Sequence, residues 1–95
     1  MNVIGRKVLE EAGRKHGDLA KSLDAWLRIT QAAQWQNLME VRRSLPTADA
    51  VGEFTVFNVR GNRYRLIAEI HYETKTVFID RVLTHAEYDR ERWKE

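Results

Sequence analysis

Three side chains that can move a proton or meet an anion, His85, Tyr88 and Asp89, lie within the run VLTHAEYDRERW at residues 82–93. Two arginines, Arg63 and Arg65, precede them in RYRLIAEIHY. A histidine titrates near neutral pH and can take or give a proton, and a tyrosine one helical turn on can orient or give one. A guanidinium is a planar, permanently charged donor for phosphate oxygens, and a helix N-terminus adds free N–H groups and a positive dipole end. Together these parts suit cleavage of a phosphodiester. On RNA the reaction needs no metal, because the 2′-OH is a nucleophile already tethered beside the phosphorus. The protein then has to supply a base, an acid and cationic stabilisation of the crowded phosphorane. His85, Tyr88 and the arginine pair can fill those roles, with either His85 or Tyr88 taking the first proton. The three histidines have no metal-ligand spacing and there is no cysteine, so no metal site is expected, and no phosphate-loop or dinucleotide glycine pattern calls for a cofactor.

Whether these residues meet depends on the elements that carry them. Thr84 followed three residues later by Glu87 is a capping box, so a strand ends and a helix begins at this point. A capped, exposed terminal helix with no chemistry accounts for the same residues. Upstream, FTVFNV, RYRLIAEIHY and VFIDRVL are rich in β-branched and aromatic residues and read as an antiparallel meander. Its turns are RGNR, with Gly61-Asn62 as a type II′ pair, and ETKT. The turns place Arg60 opposite Arg63 and Tyr72 opposite Val77. One face then collects Phe57, Val59, Tyr64, Leu66, Ala68, Ile70, Tyr72, Val77, Ile79 and Leu83, together with Thr55 and Arg81, and packs on helices. The other holds Asn58, Arg63, Arg65, Glu69, His71, Asp80 and Thr84, with Val56, Ile67 and Val82 between them. In that register Thr84 lies across from Arg65, and His85 opens the last helix beside Arg63 and Arg65.

The first half of the chain is helical. Asn2 to Ile4 reads as a short strand, Gly5 as a turn, and Val8, Leu9 and Ala12 recur at helical spacing up to Gly17. Asp18 is the expected N-cap of a second helix whose stripe is Leu19, Leu23, Trp26, Leu27 and Thr30. A third carries Leu38, Val41 and Leu45 and ends before Pro46, after which TADAVGE reads as a turn. Trp26 and Trp35 belong to the core, His16 is a surface cation at a helix end, and His71 is an exposed histidine.

Ninety-five residues, 43% of them hydrophobic, suffice for one domain with one modest core. No stretch is apolar enough for a signal sequence or a membrane span, and the lack of cysteine fits a reducing cytoplasm. Sixteen Lys and Arg against fourteen Asp and Glu permit a polyanionic partner without demanding one. The excess lies in the helical half, where eight cations up to Pro46 face five anions.

At FNVRGNRYRLIAEI and VLTHAEYD the chain resembles the HigB-type toxins of bacterial type II toxin–antitoxin modules, within the RelE-like superfamily. The matching residues are Phe57, Asn58, Val59, Gly61, Asn62, Tyr64, Arg65 and Leu66, then Thr84, His85, Glu87, Tyr88 and Asp89. Trp26, Trp35 and Pro46 extend the similarity over nearly the whole chain. The resemblance implies a compact α+β domain over residues 1–95: two to three N-terminal helices on one face of a mainly antiparallel, three- to four-stranded sheet, and a short C-terminal helix. It further implies a messenger-RNA endoribonuclease that acts on the ribosome and is silenced by a HigA-type helix-turn-helix antitoxin. Carried over by position, Arg65, His85 and Tyr88 are the expected catalytic residues, and Asn62 and Asp89 substrate contacts. Arg63 and Arg81 join the substrate contacts from positions that the family pattern leaves loose. Two other readings fit the residues: a non-catalytic RNA- or ribosome-binding module, and a protein that only holds a partner.

Overall fold

The computed structural model describes residues 1–90. The chain opens with β1 (Asn2–Ile4) and turns at Gly5 into α1 (Arg6–Lys15). Gly5 holds φ 95°, and a Cβ there would stand 2.9 Å from the Ile79 carbonyl oxygen, so only glycine allows the chain to leave the sheet so close to its neighbour. A single 3-10 turn, Gly17–Leu19, leads into α2 (Ala20–Ala32), and α3 (Leu38–Ser44) follows. Asn37 caps α3 by accepting from the Glu40 N–H at 3.0 Å. Asp18, by contrast, is not the N-cap of α2. Its carboxylate instead accepts the Tyr64 hydroxyl at 3.2 Å and meets Arg60 Nε at 2.9 Å.

The second half is β2 (Asp49–Val51), β3 (Phe54–Val59), β4 (Tyr64–His71), β5 (Thr76–Thr84) and α4 (His85–Asp89). The five strands run in the order β1-β5-β4-β3-β2, with β1 parallel to β5 and the rest antiparallel. The sheet exceeds the expected three or four strands because β1 joins one edge and the turn-like TADAVGE contributes β2 at the other. Arg42 on α3 ties β2 down, donating to the Ala48 carbonyl at 2.9 Å and meeting Asp49 at 3.1 Å. The terminal helix is described to Asp89, and its expected continuation through Trp93 lies outside the described residues from 91 onward.

The helices cover one face, as the alternation required. Leu19, Leu23, Trp26 and Val41 meet Phe57, Leu66, Ala68 and Val77 in a buried core, where the rings of Trp26 and Phe57 sit edge to face at 5.4 Å. Trp35 is buried with them.

The first hairpin has the expected register, Val59 opposite Tyr64 and Thr55 opposite Ala68. Its turn differs from type II′, because the left-handed backbone begins at Arg60 (φ 52°) and continues at Gly61 (φ 63°). The second hairpin departs further. Its turn occupies residues 72–75, with Lys75 left-handed, so Val77 pairs with Ile70 rather than Tyr72. That slip of two residues preserves the faces. A β-bulge then changes them: Ala68 pairs with Ile79 but Ile67 pairs with Arg81, leaving Asp80 as the extra residue. Beyond it the side chains of β5 exchange sides. Arg81 and Leu83 lie on the open face and Val82 packs against the main core, opposite to expectation, and Arg65 faces Leu83 while Thr84 faces Tyr64.

Candidate active site

The bulge leads β5 into α4 at the end of the sheet where the first hairpin turns. The capping box forms in full: the Thr84 hydroxyl accepts from the Glu87 N–H at 3.2 Å, and the Glu87 carboxylate accepts from the Thr84 N–H at 2.8 Å. The His85 N–H, among the first of the helix, donates to the Arg63 carbonyl at 2.9 Å and pins the helix start to the hairpin. Sequence and capping chemistry thus decide where the imidazole stands.

The Thr84 N–H, opposed by partial burial and reinforced by Thr84's side chain, Lys15 and His16, holds the Glu87 carboxyl below its ordinary 4.5. A depressed folded-state value adds stability above pH 4.5, which is lost as pH falls through the folded value. Wild-type protein should therefore exceed Glu87→Gln in stability by about 0.3–1 kcal/mol at pH 7, the scale for a charge at an exposed helix N-terminus. The gap should close on acidification below pH 4.5. Chemical denaturation of both proteins across that range measures it, and a gap that stays constant with pH would reject the assignment.

Arg65 is 8% exposed and lies at the centre of the site. Its Nη1 donates to the carbonyls of Asn62 at 3.1 Å and Tyr64 at 3.2 Å. Its Nη2 donates to Asn62 Oδ1 at 2.8 Å and stands 2.9 Å from His85 Nδ1. The guanidinium carbon is 5.5 Å from the centre of the Tyr88 ring, within cation–π range. On the other side of the imidazole, Nε2 meets Asp89 Oδ2 at 3.0 Å, one helical turn on.

These contacts select the tautomer. Arginine has no acceptor, so Nδ1 facing Nη2 must carry the lone pair, and the ring proton resides on Nε2, donated to Asp89. The imidazole is held from both sides, by a cation that fixes one nitrogen and a carboxylate that takes the proton of the other. His85 and Asp89 are about half exposed, so the Nε2 side is the one that opens to solvent. The arrangement can exchange a proton at Nε2 next to a permanent positive charge and a phenol.

Arg65, His85, Tyr88, Asp89 and Asn62 come together here. Asn62 is turned onto Arg65 by both its backbone and its side-chain oxygen, so it holds the arginine. The Arg63 side chain points elsewhere, with Nη1 3.9 Å from Asp18. Arg81 pairs with its neighbour Asp80 at 2.6 Å on the open face. The His85–Asp89 pair is the contact that residue types alone did not single out, although its signal was present: four residues apart on a helix put the two side chains on one face. His16 lies against Tyr64, with ring centres 5.0 Å apart, and His71 meets Glu69 at 2.8 Å.

Comparison with known proteins agrees with the motif blocks. The family described as HigB_toxin, RelE-like toxic component of a toxin-antitoxin system, matches residues 19–91. The chain is 30% identical over 93 residues to a protein named mRNA interferase HigB from Escherichia coli O6:H1, covering 95% of this chain and 90% of that one. It is 28% identical over 92 residues to mRNA interferase toxin HigB of Escherichia coli K12, covering 94% and 88%. The same figures hold for mRNA interferase HigB of Shigella flexneri.

Proposed function

We propose, taking as premise that the chain belongs to the HigB family of RelE-like toxins, that it is the toxin of a type II toxin–antitoxin pair and an endoribonuclease of messenger RNA. The observation that carries the reading is the 2.9 Å contact between Arg65 Nη2 and His85 Nδ1 at the head of α4, with the Tyr88 ring against the guanidinium. A proton-transfer group and a phenol one helical turn apart, with a fixed cation from the neighbouring strand between them, are what cleavage by the 2′-OH requires. The 2′-oxygen bonds to phosphorus as its proton passes to the base. The P–O5′ bond breaks as the acid protonates O5′, leaving a 2′,3′-cyclic phosphate and a 5′-OH.

His85 exchanges its proton at Nε2, because Nδ1 is committed to Arg65. That nitrogen already bears the ring proton, so His85 is the acid: Asp89 yields its place on Nε2 to O5′, which takes the proton as the P–O5′ bond breaks, while the 2′-OH proton passes to the deprotonated oxygen of Tyr88. No step calls for a metal ion, since the nucleophile belongs to the RNA and the charge is met by arginine. The natural substrate is messenger RNA on the ribosome, and the natural silencer a HigA-type antitoxin with a helix-turn-helix domain. The setting is the cytoplasm, and no helix among the described residues is long and apolar enough to cross a membrane.

Induction of the wild-type protein in bacteria should stop growth and translation within a generation and create new RNA 5′ ends inside reading frames. Mapping those ends tests the reading. Soluble protein with normal growth would reject it, and arrest without new ends would favour the non-catalytic ribosome-binding module.

A further inference from the structure

Arg65 commits both Nη atoms to Asn62, Tyr64 and His85 and serves the reacting phosphate by its fixed charge, so the phosphates flanking the cleaved linkage have to be met by other cations. A group of them lies at the closed end of the first hairpin. Asp18 faces two guanidinium groups, Arg60 Nε at 2.9 Å and Arg63 Nη1 at 3.9 Å, while its other oxygen accepts from Tyr64. One carboxylate cannot neutralise both. The Arg63 side chain is 70% exposed and has only the long contact to Asp18 among the ion pairs of the described residues.

Lys15 and His16, at the end of α1, extend the group. The His16 ring is 5.0 Å from that of Tyr64, and both residues lie near enough to Glu87 to act on its carboxyl. The group adjoins the candidate active site, since the carbonyl of Arg63 accepts the His85 N–H. Arg60 also holds a left-handed backbone, φ 52°, which is strained for an ordinary side chain and which glycine or asparagine adopts more readily. A residue needed only to turn the chain would not have to be charged, whereas strain of this kind collects at functional sites.

We infer that Lys15, His16, Arg60 and Arg63 form a phosphate-binding arc that holds the RNA backbone beside the cleaved linkage, with Asp18 fixing the two arginines in place. The arc contacts phosphates and not bases, so it adds affinity and register without sequence preference. This inference rests on the nuclease reading, which supplies the strand and its direction of approach.

The test is binding of a short 2′-O-methyl RNA, which has the phosphates but no nucleophile, to the wild type and to an Arg60→Asn/Arg63→Gln double variant over a range of salt. Asparagine suits the left-handed position, so the turn is retained. Each lost single-strand phosphate contact lowers the slope of log K against log salt by about 0.7, so the double variant should fall by about 1.4. A lower melting temperature with an unchanged slope would overturn the arc and reduce the arginines to partners of Asp18, as would a wild type that binds no such RNA at low salt. The two readings separate cleanly: RNA cleavage by the wild type with an unchanged slope sinks the arc alone, and a reduced slope in a protein that cleaves no messenger sinks the nuclease alone.

Discussion

His85→Ala should lower RNA cleavage by about 10²–10⁴-fold, the usual contribution of a positioned acid or base, and abolish growth arrest on induction. The side chain is about half exposed, and its removal opens no cavity in the main core, so folding stability should change by less than about 1 kcal/mol. That separation of activity from stability makes the variant informative. Single-turnover cleavage and thermal unfolding, measured side by side, check it. Activity within tenfold of wild type would reject His85 as a proton-transfer group, and loss of the fold would move the histidine from chemistry to structure.

Arg65→Met, which keeps much of the volume and removes every donor, should fail in both respects. The carbonyls of Asn62 and Tyr64 would lose their shared partner in a nearly buried setting, at a cost of about 1–3 kcal/mol. The imidazole would lose the contact that fixes its tautomer, so cleavage should fall by about 10²-fold or more. Because the two residues act as one unit, the Arg65→Met/His85→Ala double variant should be little slower than His85→Ala alone. Multiplying losses would show that the residues act independently and would overturn the positioning role. Lysine should not rescue the site, since one ammonium cannot reach Asn62, Tyr64 and His85 in the plane of the fork.

Much of this was legible in the sequence. The Gly61-Asn62 turn gave the β3–β4 register, and with it the separation of Leu66 and Phe57 from Arg65. The Thr84–Glu87 pair located the head of α4, and therefore His85. The misses have physical causes. A glycine often marks a bulge, but here the extra residue is Asp80, flanked by Ile79 and Arg81, and an alternating pattern does not reveal which of three such residues is left over. The β4–β5 turn contains no glycine or proline, so nothing in ETKT fixed which four residues it used. β2 is three largely exposed residues, Asp49 to Val51, at an edge, where pairing and not side-chain burial makes the strand. Asp18 has the residue type of a cap, but a tyrosine hydroxyl and an arginine distant in sequence compete for it more strongly than the adjacent helix.

The extra residue in β5 has a consequence for how this chain can change over time. It sets two halves of one ribbon out of phase, so the odd-numbered side chains before it answer to the helices and those after it stand over the opposite surface. Drift at Val77 or Ile79 is policed by interior fit, and Leu83 is tied to Val56 and Ile67, while drift at the exposed Arg81 is free to follow a new ligand. A single inserted aspartate thus lets the reactive end of the sheet diversify without renegotiating the foundation on which it stands.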